Sequence, residues 1–117
     1  MTNLKEVKQQ IEADPDNWLI YLMDFVDDFR CFKDVSAITE PFVLSNEKFD
    51  ALLASVAEYL SDELGIECPE WLMNVPACRA PWFVSGIENL KAIALVESPL
   101  HFRIRKIFVL ENFLNRV

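Results

Sequence analysis

The stretch that decides the fold reads SNEKFDALLASVAEYLSDELG, residues 45–65. Phe49, Leu52, Leu53, Val56, Ala57, Leu60 and Leu64 recur at steps of three and four, the period of one helical face. Ser45 is placed to cap this helix, and Gly65 supplies the left-handed residue that ends one. The spacing predicts a long amphipathic helix over residues 46–64 whose stripe lies in the core.

The same period extends in both directions. Before it, Trp18, Leu19, Leu22, Phe25, Val26, Phe29 and Phe32 form a second stripe, capped by Asp16 or Asn17. Asp24, Asp27, Asp28 and Arg30 fall between those positions and are expected to face water. Leu4, Val7, Ile11 and Ala13 give a weaker helix, expected at the periphery, that stops at Asp14 and Pro15. Residues 33–44 read as a connector that tucks Phe42, Val43 and Leu44 under the next helix.

After Gly65 come Pro69, Pro76 and Pro81 with Trp71 and Trp82, which suit a short helical turn over residues 70–74 and then an irregular segment pinned by aromatic rings. Ser85 stands three residues before Glu88, the capping-box spacing, ahead of a nearly all-apolar helix expected to be central. Ser98 and Pro99 stop that helix and start the next. Ile107, Leu110, Phe113, Leu114 and Val117 predict a last helical repeat on the core. The expected fold class is all-α, a single compact helical domain over residues 1–117 with about five to seven helices.

Composition narrows the function. Of 117 residues 52% are hydrophobic and only two are glycine, which disfavours a turn-rich β fold and leaves no phosphate-cradling glycine loop. The mean hydropathy is +0.14, yet no apolar run approaches the roughly 18 to 20 residues of a membrane span. Residues 2–6 lack the basic, then apolar, pattern of a secretory leader, so the expected location is cytoplasmic, without membrane attachment. Cys31, Cys68 and Cys78 are odd in number and widely spaced, which fits buried thiols better than disulfides or a zinc site. No cofactor or metal is expected.

Charge is unevenly spread. Residues 1–70 hold 16 acids against 5 bases, a net −11, and residues 71–117 hold 3 acids against 6 bases, a net +3. Such asymmetry suits either internal pairing of the two halves or recognition of a basic partner by the acidic half. Asp24, Asp27 and Asp28 are the candidate partner contacts. Asp24 and Asp28 also stand one helical turn apart, a spacing that suits a shared metal, although acids on a wet helix face usually only solvate it.

His101, Arg103, Arg105 and Lys106 form the one basic cluster, the alternative candidate site, for an anion or nucleic acid. Against it stands the reading in which one arginine pairs with an acid of the first half while Phe102 is core. Ser98 and His101 have the separation of a hydroxyl and its base, but no third group orients the ring and no glycine turn presents the serine. No catalytic residue is assigned.

One segment carries a resemblance. PWFVSGIENLKAIALVESPLHFRIRKIFV, residues 81–109, resembles a module of bacterial proteins of uncharacterised function. That module occurs alone or behind a helix-turn-helix domain, often encoded beside a nucleotidyltransferase-like protein in pairs that look like toxin and antitoxin. The family commonly has Asn where this chain has Lys106, and the acidic helices before residue 81 show no basic recognition helix. The resemblance implies a non-enzymatic interaction protein, antitoxin-like or accessory, whose partner is encoded in the same operon. The alternative is a transcription-associated regulator that touches nucleic acid through residues 101–106. A homodimer that buries Trp71, Trp82 and Phe83 is a further expectation.

Overall fold

The computed structural model of the chain describes residues 3–85, 90–110 and 113–114. Among them are six α-helices: α1 (Leu4–Ala13), α2 (Trp18–Phe32), α3 (Ser36–Thr39), α4 (Glu47–Leu64), α5 (Lys91–Glu97) and α6 (Leu100–Arg103). Two 3₁₀ turns, Pro15–Asn17 and Glu70–Asn74, and two short strands, β1 (Trp82–Phe83) and β2 (Ile107–Phe108), complete the order. The fold is therefore mainly helical, as the periodicity predicts. The radius of gyration is 13.3 Å, against about 13 Å for a compact chain of this length.

The long helix α4 is the axle. Leu52, Leu53, Val56, Ala57 and Leu60 are fully buried, and α1, α2, α6 and the 70–74 turn all pack on it. Gly65 ends it in the left-handed region at φ 69°. Its first turn is capped by Asn46 and not by Ser45: the Asn46 side chain accepts from the amides of Lys48 at 3.0 Å and Phe49 at 3.1 Å. Ser45 instead donates its backbone N–H to Asp50 and its hydroxyl to Glu12.

Several expectations are corrected. Helix α1 is core, because Leu4, Val7 and Ile11 are buried against α2 and α4. The α2 stripe is shorter than its sequence, since Leu19 and Phe32 at its ends are exposed. Of the three apolar residues that end the connector only Phe42 goes in, its ring edge on Trp71, while Val43 and Leu44 face solvent. Helix α5 lies on the surface with Ala94 alone buried. Of the expected capping box, Glu88 lies outside the described residues.

The last helical repeat is replaced by a strand. Lys106 takes a left-handed φ of 61° and ends the α6 turn. Ile107 and Phe108 then run parallel to Trp82 and Phe83, with the Trp82 amide donating to the Lys106 carbonyl at 2.8 Å. Ile107 and Val109 are nevertheless buried, with Phe108 and Leu110 less so, and the segment enters the core by alternation and not by turns. Val117 lies outside the described residues.

Leu53 sits fully buried in the middle of α4. Leu53→Ala should cost about 2–5 kcal/mol, and Leu53→Asp should abolish cooperative unfolding because a carboxylate there has no partner. Thermal melts followed by circular dichroism check this. A near-native melt for the Asp variant would contradict the placement of the stripe.

Candidate functional site

The basic segment is dispersed by the fold. The Arg105 side chain is buried, with 4% of the residue exposed. Its guanidinium pairs with Glu58 of α4, donates from Nη2 to the Leu72 carbonyl at 2.6 Å and from Nε to the Val75 carbonyl at 3.2 Å, and reaches Ser55 Oγ at 3.4 Å. An arginine is suited to this place because its planar fork presents several donors at once in directions that separate carbonyls can meet. Here an arginine of the second half pairs with an acid of the first, and Phe102 is buried beside it.

The neighbours of Arg105 have separate tasks. Arg103 is exposed, and its guanidinium donates to the carbonyls of Ser98 at 2.6 Å and Val96 at 3.1 Å, closing the C-terminal end of α5. His101 meets the Asp62 carboxylate through Nε2 and lays its ring edge-on to Tyr59. Lys106 is exposed and donates to the Arg79 carbonyl at 3.4 Å. The four candidate contacts thus do not line one surface: one is interior, two hold α5 and α6 in place, and Lys106 faces another part of the molecule.

Ser98 and His101 do not meet as nucleophile and base. The Ser98 hydroxyl is buried, accepts from the Val109 amide at 2.8 Å, and donates toward the carbonyls of Ala94 at 2.6 Å and Val109 at 3.0 Å. One donor and its lone pairs are used in fastening α5 to the residue after β2. The imidazole is turned to Asp62 instead.

A second buried charge cluster lies where α1 crosses the start of α4. Lys8, 2% exposed, pairs with Asp50, itself 3% exposed. The ammonium also donates to the Val43 carbonyl at 2.6 Å, stands 3.3 Å from Glu12 and lies over the Phe42 ring at 4.7 Å. Hydrogen bonds from Ser45 first, then from Lys8, hold the Glu12 carboxyl below its ordinary range. The ion pair is complete without a ligand. Sequence reading missed Lys8 and Asp50, although both stand on apolar stripes: Lys8 follows Leu4 by four residues, and Asp50 precedes Leu53 by three.

The acidic face of α2 is placed as its spacing predicts. Asp24 and Asp27 are exposed and Asp28 is half-buried. Ile20, 59% exposed, and Cys31 share their stripe, since 20, 24, 27 and 31 follow at steps of four and three. Among the described residues no group of three or more His, Cys, Asp or Glu side chains is placed to hold a metal ion, and no helix is long and apolar enough to cross a membrane. Burial pushes the Cys68 and Cys78 thiols above their ordinary range, which leaves them poor nucleophiles at neutral pH.

The aromatic residues expected at a dimer interface find partners within the chain. Trp71 donates its indole N–H to the Ile38 carbonyl at 2.9 Å, Trp82 packs between Trp18 and Phe49, and Phe83 stacks on Phe108. A cleft of 410 Å³ lies beside Trp18 and Leu19, walled by Val84, Val109 and Phe113. Among the described residues its lining carries one hydroxyl, Ser85, and no acid or base. Comparison of the chain with protein-family models, curated proteins and solved structures gave no match.

Removing the Arg105 side chain strands Glu58 and two carbonyls at once. Arg105→Met should cost about 3–5 kcal/mol in chemical denaturation, and adding Glu58→Leu should restore little, because Leu72 and Val75 still lack a donor. A loss below about 1 kcal/mol, the range of exposed pairs, would contradict the interior role.

Proposed function

We propose that this chain is a non-enzymatic protein-interaction protein, an antitoxin-like or accessory partner of a basic, nucleotidyltransferase-like protein encoded in the same operon. The observation that carries this reading is the outer stripe of α2, where exposed Ile20 stands in line with the carboxylates of Asp24 and Asp27, with Asp28 beside them. Contact surfaces of this kind combine an apolar anchor with a charged rim that steers a partner of opposite sign. The helix beneath is rigid, since Leu22, Phe25, Val26 and Phe29 fix its other side in the core.

The roles taken by Ser98, His101 and two of the thiols support recognition over turnover. The hydroxyl with a neighbouring imidazole is committed to structure, and the described thiols with perturbed acidity are shifted away from reactivity. An active site needs an acid, base or nucleophile in a cleft at productive distance. Among the described residues the 410 Å³ cleft supplies one hydroxyl, Ser85, with no acid or base lining it.

Co-expression with the neighbouring gene product, followed by affinity capture and size-exclusion chromatography with light scattering, tests the proposal. The expected result is a stoichiometric complex that weakens with salt. Asp24→Asn, Asp27→Asn and Asp28→Asn together should weaken it at least about tenfold, chiefly through slower association. Elution of the chain alone, or a complex indifferent to all three changes, would overturn it.

A further inference from the structure

The sequence of α5 is that of an interior helix, yet the fold leaves it outside. Of Lys91–Glu97 only Ala94 is buried, and Ala92, Ile93, Leu95 and Val96 are exposed. At about 100° per residue these four follow round the helix in the order Leu95, Ala92, Val96, Ile93, one unbroken apolar arc of about 160°. Leu100 and Ile104 are exposed as well and stand one turn apart, the Ile104 amide donating to the Leu100 carbonyl at 3.0 Å. The Arg103 guanidinium, bonded to the carbonyls of Val96 and Ser98, holds that turn against the end of α5.

A helix apolar on nearly every side belongs where something covers it. Ile93, Leu95, Val96, Leu100 and Ile104, between 46 and 75% exposed, present on the order of 500 Å² of apolar surface, near the upper limit for a patch on a monomer. A homodimer interface of standard size takes about 800 Å² from each copy, about 65% of it apolar, which is again about 500 Å². Charge points to the same occupant. Residues 90–104 hold one acid, Glu97, against Lys91, Arg103 and His101, so the basic partner proposed for α2 is disfavoured on this face. A second copy brings unlike charge to each end of the arc. Helix α5 begins with Lys91, whose ammonium lies over the Phe83 ring at 5.3 Å, and ends with Glu97, whose Oε2 accepts no hydrogen bond from any described residue.

We propose that α5 and the adjoining turn of α6 are the interface of a homodimer, two copies related by a two-fold axis with their α5 helices antiparallel. The same patch then serves both copies, as a two-fold interface requires. Ile93 and Val96 of each copy pack across the axis on those of the other, and Lys91 of each lies toward the second copy's Glu97. Packed helices approach to about 8–10 Å, and α5 is itself only about 10 Å long, so both of its ends engage. The contact uses no residue of α2, and neither reading depends on the other.

Sedimentation-velocity ultracentrifugation of the full chain alone, from about 1 to about 200 μM, tests this. The expected result is a species of twice the 13.6 kDa chain mass, with Kd of about 10 μM or tighter, since interfaces of this area run from micromolar downward. Val96→Glu with Leu100→Glu should raise Kd at least about a hundredfold by setting charges in the apolar centre, while far-ultraviolet circular dichroism stays as in the wild type. Lys91→Glu alone should weaken the dimer about threefold or more, and adding Glu97→Lys should recover it. Asp24→Asn, Asp27→Asn and Asp28→Asn together, which test the α2 stripe, should leave it intact. A chain that stays at 13.6 kDa throughout, whether or not it binds vesicles of anionic lipid, would overturn the proposal. So would a dimer indifferent to the two glutamate changes, or a Lys91→Glu loss that Glu97→Lys does not recover.

Discussion

A guanidinium held almost entirely out of water needs its donors answered, and the C-terminal third of this chain is arranged around that requirement. Arg105 reaches the Glu58 carboxylate on α4 and the carbonyls of Leu72 and Val75, and its own carbonyl accepts from the Cys78 amide at 3.0 Å. Those contacts join the long helix to the proline-rich segment, which has few backbone partners of its own. They also set the direction in which the chain leaves α6. Lys106 turns left-handed, β2 falls beside β1, and Val109 arrives where the Ser98 hydroxyl can bond it.

Helix α4 supplies the acids of both buried ion pairs, Asp50 to Lys8 and Glu58 to Arg105. Its apolar stripe and its two interior carboxylates therefore do different things. The stripe supplies burial energy without direction, whereas each carboxylate admits one cation in one geometry, fixing how α1 and the β2 segment lie across it. Removal of Lys8 and Arg105 to the interior also shapes the surface. The acidic stripe of α2 stays outside, with Asp24 and Asp27 exposed.

The legible parts of the fold were those whose period is written in hydrophobicity. Helices α2 and α4, the Gly65 terminator and the 70–74 turn follow from spacing and from glycine or proline placement. Helix α1 was legible as a helix but not as core, because Lys8 on its buried side makes the stripe look weak. Strand β2 was hidden for a related reason. From Arg105 to Leu110 buried and more exposed positions alternate, but the buried series begins with an arginine and the outer series includes Phe108, so the pattern does not alternate in hydropathy. Likewise the candidate contacts of α2 could be placed from sequence, since a helix face is a local property. Which acid Arg105 meets could not, because that depends on how the chain after α6 crosses α4.

Arg105 makes the proline-rich segment part of the same cooperative unit as α4, and native-state hydrogen exchange measures that directly. The Cys78 amide, bonded to the Arg105 carbonyl, and the Leu53 amide, inside α4, should open with free energies within about 1 kcal/mol of each other, both at the level of global unfolding. A Cys78 amide that exchanges through local opening more than about a hundredfold faster than this, with α4 still protected, would show that the segment is an appendage and that the buried guanidinium does not close the fold.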